Sequence, residues 1–428
     1  VPHKLASSSK SILAIDFGTS NSTVGYPTPA GPALIAVEDA HLTIPSAIFF
    51  NVEDECVQFG RDAIASYTKH YEGRLLRSLK SVLGSTLIDE VTPVGIQQIA
   101  FKDIIGLFLR HLKTQAEASI GHEIDAAILG RPVWFIDNDA QRDKIAQDQL
   151  AAIAYQCGFK QVDFQYEPIA AALDYESRVD REELALIADL GGGTADISIV
   201  RVSPQQHLKA DRKADVLANA GVHIGGTDYD KKLSLHQVMP HLGYKTHQRE
   251  NPGRELPSSV YFDLATWYRI VLLNGNSSAA FLKDMQHMAD QPALVHRLLR
   301  VVREQTGHQL AGDVEKLKIA LSDQAFATLA LPYVDTDLRI ELSRAAFEDV
   351  TRDETQKIAD CMRACLAQAG VEPAAITTLF LTGGTSAIPS VSAACRATVP
   401  HAKVVEGDRF GSVGIGLTIH AGICANAR

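Results

Sequence analysis

Short apolar runs broken by glycine and hydroxyl residues recur along this chain. Residues 11–26, SILAIDFGTSNSTVGY, form a β-rich apolar run that stops at Asp16, passes a Gly-Thr-Ser-Asn turn and becomes apolar again. Residues 184–200, LALIADLGGGTADISIV, repeat the arrangement: Asp189 closes the run, three glycines and Thr194 follow, and apolar residues return. Both stretches predict a strand, a tight turn and a second strand. Placing Asp16 over Asp189 puts Gly18 over Gly191, a spacing too long for a solenoid repeat but suited to a duplicated domain.

Between the copies, AAILGRPVWF (126–135) predicts a buried strand, and AQRDKIAQDQLAAIAYQCGF (140–159) has helical spacing through Ile145, Leu150 and Ile153, with Gly158 as its stop. VDFQYEPIAAALDYE (162–176) predicts a short strand and then a small-residue helix opening near Pro168, where the missing N–H is harmless. After the second copy the pattern is less regular from about 232 to 312, with the turn-rich NPGRELPSS and a helix over DLATWYRIVLL. TTLFLTGGTSAIPSV (377–391) predicts strand, glycine turn and helix start, and a last helix covers about 409 to 424.

Composition adds limits. With 46% hydrophobic and 21% charged residues, the chain has an ordinary globular make-up, and its 428 residues suit two or three domains. A net charge of −10 argues against a nucleic-acid or anionic-membrane surface. Six cysteines without CxxC spacing predict free buried thiols and a reducing compartment. The start lacks a signal-peptide core and no long apolar run follows, so the expected location is cytoplasmic.

The glycine turns carry the candidate chemistry. Backbone N–H groups in a tight turn form a concave anion site, and a Cβ would obstruct a phosphate. Thr19, Ser20 and Thr194 add hydroxyls, while Asp16 and Asp189 at strand ends can hold a hydrated Mg²⁺ through its waters. No GxxxxGK[ST] loop occurs, and neither DLGGGT nor LTGGTS fits GxGxxG, which argues against a Walker or Rossmann site.

IDFGTSNS, EPIAAALDYE, ADLGGGTADISIV, GVHIGGTDYD, VEKLKIALS and LTGGTSAIPSV resemble, in order and approximate spacing, the ATPase domain of the heat-shock-70 chaperones in the actin-like ATPase superfamily. FQYEPIAAALDYE and GDRFGSVGIGL look closest to the YegD-like group, which has only the ATPase part. The resemblance implies an α/β fold of two lobes, each with a ribonuclease H-like mixed sheet flanked by helices, around a nucleotide cleft. Lobe I would span 1–183 and lobe II 184–408, with an inserted subdomain at about 230–352 and a helix at 409–428 returning to lobe I.

The resemblance also implies roles, with ATP or ADP and Mg²⁺ as ligands. Asp16 and Asp189 would organise the metal through water, with Gly18, Thr19, Ser20, Asn21 and the backbone of Gly191, Gly192, Gly193 and Thr194 around the phosphates. Lys80 would reach the phosphates and the attacking water, Glu167 would bind the metal hydration shell, and Thr194 and Asp196 would complete the second phosphate loop. Gly225, Gly226 and Thr227 would form the second-lobe phosphate face. Glu315, Lys318 and Ser322 would meet ribose and adenine, Gly383, Gly384 and Thr385 would form the adenosine turn, and Asp408 would lie near that pocket.

Two departures stand out. Ile319 and Ala387 occupy positions where the chaperones usually place arginines beside adenine, which weakens base stacking. The family's usual linker and peptide-binding domain are not expected in this chain. Three functions follow: a slow chaperone-like ATPase with protein clients or cochaperones, a nucleotide-gated adaptor or assembly protein, or a small-molecule kinase with Asp196 as its base.

Overall fold

The computed structural model describes residues 11–69, 71–136, 139–176, 179–206, 209, 212–273, 276–407 and 411–426. The chain forms two compact units. The first comprises Val1–His223, Ala359–Ser386 and Cys395–Arg428, and the second Ile224–Ile358 and Ala387–Ala394.

The first unit contains two mixed sheets built on one plan. Strands β1 (Ile12–Asp16), β2 (Asn21–Thr28), β3 (Gly31–Ile35), β4 (Thr43–Pro45), β5 (Ala126–Arg131) and β6 (Gln161–Tyr166) form a sheet of order β6-β5-β1-β2-β3, with β4 also on β2. Strands β7 (Glu183–Leu190), β8 (Ala195–Val202), β9 (Val216–Val222), β10 (Thr378–Thr382) and β11 (Lys403–Glu406) form the other, of order β9-β8-β7-β10-β11. In each, the opening strand pairs antiparallel with its hairpin partner and parallel with the later strand on its other side. Local turns suffice for the antiparallel pairs, whereas the parallel neighbours need long crossovers. The duplication seen in the sequence is therefore a duplication of topology.

Alternation along the strands decides the layers. Ile12 and Ala14 of β1, and Ala126 and Ile128 of β5, point into a core shared with Ala185, Ile187, Val200, Val202 and Phe380 of the second sheet. That core surrounds the helices Glu167–Glu176 and Ser412–Asn426. Leu13, Ile15, Ala127 and Leu129 face the other way, into a core with Ile104, Phe108 and Leu112 of helix Phe101–Ile120 and Leu150 of helix Ala140–Gln156. Strands covered on both faces read as continuous apolar runs, which is why β1 and β7 were conspicuous.

Helix Ser412–Asn426 also packs on β1, β2, β3 and β5, and it crosses helix Glu167–Glu176 very closely. A Cβ at Gly416 would overlap the Ala170 carbonyl, so only glycine allows this approach. Further along, buried His420 lies 3.2 Å from the Gln165 amide through Nδ1, and Cys424 is 3.6 Å from its Nε2.

Burial holds the His420 imidazole down to about 4, Asp163 opposing this and Arg212 assisting. Since unfolded histidine titrates near 6.5, the unfolded chain binds the extra proton first as pH falls. His420 thus contributes stability above pH 6.5 that is lost progressively toward pH 4, about 3 kcal/mol in all. Denaturant titrations across that window should show His420→Gln losing less stability on acidification than the parent protein. An identical acid slope in both would refute this.

Several elements differ from the sequence reading. Ile145 is exposed, because the buried stripe of its helix runs through Asp143, Ala146, Leu150 and Ile153, with Asp143 held by Arg131 at 2.8 Å. A buried ion pair displaced the apolar face. The strand from Ala126 ends at Arg131, since Pro132 cannot donate to the ladder. DLATWYRIVLL is not one helix: Ser259–Leu264 is α-helical and Trp267–Leu273 is 3₁₀, with the Thr266 hydroxyl donating to Phe262 O at the break. The last helix is Ser412–Asn426, and residues 409 and 410 lie outside the described ones. Of the cysteines, Cys157, Cys365 and Cys395 are buried, but Cys56 is exposed and Cys361 and Cys424 are half-buried; none is in a disulfide. No helix among the described residues is long and apolar enough to cross a membrane.

The second unit holds the helices Gly226–Leu233, Asn276–Met288, Pro292–Arg303 and Gly307–Asp323 and a two-stranded sheet of Phe326–Ala330 with Arg339–Ser343. Its sequence looked irregular because short helices are joined by turns.

Candidate functional site

The two acid-and-glycine turns meet in the first unit. Asp16 ends β1 and Asp189 is the penultimate residue of β7, where it pairs in register with Asp196 of β8 and Thr382 of β10. Gly191 N donates to Thr194 O at 2.9 Å, closing the loop, and Thr194 Oγ1 donates to Asp196 Oδ2 at 3.0 Å. A Cβ on Gly192 would overlap the Ser20 hydroxyl, so bare backbone is what lets the second turn approach the first. Within the first turn, a Cβ on Gly18 would overlap Asn21 O.

The third glycine turn joins them. Gly383 has φ +79°, and a Cβ there would overlap Leu190 O and lie 2.9 Å from Asp189 Oδ1. Its neighbour Thr385 donates to Gly191 O at 2.7 Å. Gly384 opens the 3₁₀ turn that follows.

Lys80 comes from a 3₁₀ turn, Leu79–Val82, and its ammonium donates to Glu167 Oε1 at 2.6 Å. Glu167 is the first residue of its helix. The last, Glu176, is fixed by a fully buried network: Arg212 donates to both its oxygens at 2.7 and 2.8 Å and to Asp215 at 2.5 Å. A buried guanidinium flanked by two carboxylates tolerates little displacement, so the helix carrying Glu167 is held at its far end.

One ammonium faces four carboxylates here. Burial pushes Asp16 up to about 7, with Glu167 adding and Lys80 opposing. Burial pushes Asp189 up to about 8, with Asp196, Glu167 and Asp16 adding and Lys80 opposing. Burial alone would lower Lys80, yet Glu167, Asp16 and Asp196 hold it above its ordinary value, so it stays cationic. The cluster is short of positive charge, and a divalent cation is the group that would relieve it. Among the described residues no three His, Cys, Asp or Glu side chains are grouped to ligate a metal directly. Asp16 and Asp189 are buried carboxylates of the kind that could hold such an ion through its waters.

Some residues beside this cluster escaped the sequence reading. Gly130, at the end of β5, is so close that a Cβ would lie 3.4 Å from Glu167 and 3.5 Å from Asp16. Its signal was a glycine inside a buried strand. Ser46 donates to Gly18 O at 2.7 Å and its N–H to Ser20 O at 2.9 Å, bracing the first turn. No sequence pattern marks it.

Other predicted residues lie in the second unit. Gly225 precedes helix Gly226–Leu233, its N–H donating to Asp228 Oδ2 at 3.0 Å, and Thr227 lies in the first turn. Glu315, Lys318 and Ser322 share a face of helix Gly307–Asp323. Lys318 donates to Asp230 at 2.8 Å and to Gly226 O at 3.1 Å. Asp408 is outside the described residues.

The paired sheets and their converging turns define the duplicated α/β fold of actin-like ATPases. The family described as "Hsp70 protein" matches residues 91–247 and 287–427, and the chain belongs to it. Similar proteins include "Chaperone protein DnaK" of Thermosipho melanesiensis, 25% identical over 90% of this chain and 55% of its own length. Those of Thermosipho africanus and Thermotoga petrophila are each 26% identical, over 90% of this chain and 54% and 55% of theirs. The chain spans about half the length of the curated relatives it matches.

Proposed function

We propose that the chain is an ATP-binding, slowly hydrolysing heat-shock-70-like ATPase, related most nearly to the YegD-like group, whose lobes close on Mg-ATP and reopen after hydrolysis. The observation that carries this reading is the meeting of two acid-and-glycine turns around Lys80 and Glu167. Family membership supports it, and protein clients or cochaperones are the partners it implies.

Phosphoryl transfer is chiefly a matter of positioning and charge neutralisation. Asp16 and Asp189 would hold the hydrated Mg²⁺, which when bound supplies charge against the phosphates. The N–H groups of Gly191, Gly192, Gly193 and Thr194, with Thr19 and Ser20, cradle the phosphates from both turns. Lys80 orients the terminal phosphate and the attacking water, and Glu167 orients Lys80. Ligand-driven closure requires a nucleotide that binds one state better than the other.

A thermal shift tests binding. ATP with Mg²⁺ at about a hundred times its Kd should stabilise the protein by about 2.7 kcal/mol. Asp16→Ala should raise the Kd for Mg-ATP about tenfold and remove most of its dependence on magnesium. Neither stabilisation nor phosphate release from the parent protein would end the reading.

A further inference from the structure

The second unit contains a cavity of about 300 Å³, a size at the lower end for small-ligand sites. Ser259, Phe262, Asp263 and Thr266 recur at i, i+3, i+4 and i+7, which puts all four on one face of the helical turns that start at Ser259. Arg269, on the 3₁₀ helix Trp267–Leu273, and Lys231, on helix Gly226–Leu233, complete the lining. All six residues belong to the same compact unit.

Two cations meet one carboxylate here, and the cations have donors to offer. Arg269 Nε donates to Asp263 Oδ1 at 2.6 Å, which fixes the guanidinium and leaves its two Nη groups without a partner among the described residues. That pair of Nη groups is the fork that grips two oxygens of a carboxylate or phosphate. Lys232 pairs with Glu354 at 3.2 Å, whereas its neighbour Lys231 makes no hydrogen bond or ion pair among the described residues. Thr266 gives its hydroxyl proton to Phe262 O at 2.7 Å, and the exposed Ser259 hydroxyl is left as a donor. Phe262 supplies an apolar wall. It is 40% exposed, yet Tyr244 braces its ring edge-on at 6.1 Å and 84°, and Tyr244 itself packs on buried Tyr261 at 5.3 Å. A fixed, exposed ring beside unpaired positive charge suits a flat ring that carries an anionic group.

We propose that this cavity binds a small aromatic anion, a single ring bearing a carboxylate or a phosphate, with Arg269 and Lys231 on the anionic group and Phe262 against the ring. The site is independent of the nucleotide reading above, which uses none of these six residues.

Calorimetric titration of the whole chain with phenyl phosphate, benzoate, inorganic phosphate and benzyl alcohol tests it, with saturating pyrophosphate present to fill any phosphate site at the glycine turns. Phenyl phosphate and benzoate should each bind at least about tenfold more tightly than inorganic phosphate, which lacks the ring, and than benzyl alcohol, which lacks the charge. Arg269→Gln and Lys231→Met should each weaken phenyl phosphate about tenfold, and Phe262→Ala should bring it down to the level of inorganic phosphate. None of the three side chains is fully buried, and melting curves confirm that each variant folds; should Arg269→Gln unfold the turn that Asp263 anchors, Lys231→Met and Phe262→Ala carry the test. No binding of either aromatic anion would overturn the proposal, as would equal binding of benzyl alcohol. Binding that pyrophosphate abolishes, or that all three substitutions leave unchanged, would place the anion elsewhere and overturn it too. None of these outcomes bears on the ATPase reading, which stands or falls on Mg-ATP.

Discussion

Lys80→Ala is expected to lower ATP turnover by about a hundredfold while nucleotide affinity changes by less than about threefold. The asymmetry follows from what Lys80 does in the cluster. It is the ammonium opposed to Asp16, Glu167, Asp189 and Asp196, and Glu167, Asp16 and Asp196 keep it charged. In the proposed site, binding would be shared among many backbone donors of the glycine turns, so one side chain would contribute little to it. On the proposed reading, orientation of the terminal phosphate and of water would fall to this one positioned cation, and losing one such electrostatic contact typically costs two to three orders of magnitude in rate. Single-turnover phosphate release set beside a binding titration separates the two quantities. Equal and small effects from Lys80→Ala and Asp16→Ala would show that the chemistry is elsewhere.

The second large effect is on stability. Gly416→Ala should destabilise the protein by about 3 kcal/mol or more, because the added methyl overlaps the Ala170 carbonyl and backbone cannot rotate away as a side chain can. Gly422→Ala on the same helix provides the contrast. There a Cβ meets only Pro27 at 3.6 Å, an ordinary contact, and replacing a mid-helix glycine gains up to about 1 kcal/mol. Opposite signs for two identical substitutions, read from melting curves, are expected. A tolerated Gly416→Ala would mean that the two helices are not so closely crossed.

Much of this was legible in the chain. The duplicated Asp-to-glycine turns could be read because the same unusual local pattern, an acid at a strand end followed by bare backbone, occurs twice, and strands buried on both faces announce themselves as apolar runs. Gly130 was readable in principle, as a glycine where bulk was expected. Other features depend on residues distant in sequence. Arg131 draws Asp143 into a buried stripe and so turns Ile145 outward, which no periodicity within the helix reveals. Whether Lys318 has N–H groups to offer depends on Asp230 and Gly226 in another helix, and motif spacing is silent on that. Ser46, the single residue between strands Thr43–Pro45 and Ala47–Asn51, braces the first turn with no pattern to mark it.

The place of helix Ser412–Asn426 against β1 and β5 bears on how the protein is made. Its His420 contacts Gln165 across 255 positions of chain. During synthesis at roughly 5–20 residues per second, the first sheet leaves the ribosome tens of seconds before the helix that covers it. In that interval the greasy face of Ile12, Ala14, Ala126 and Ile128 has helix Glu167–Glu176 beside it but lacks its second helix, and nascent chains stalled before Ser412 should aggregate or recruit holdases more than those stalled after Asn426.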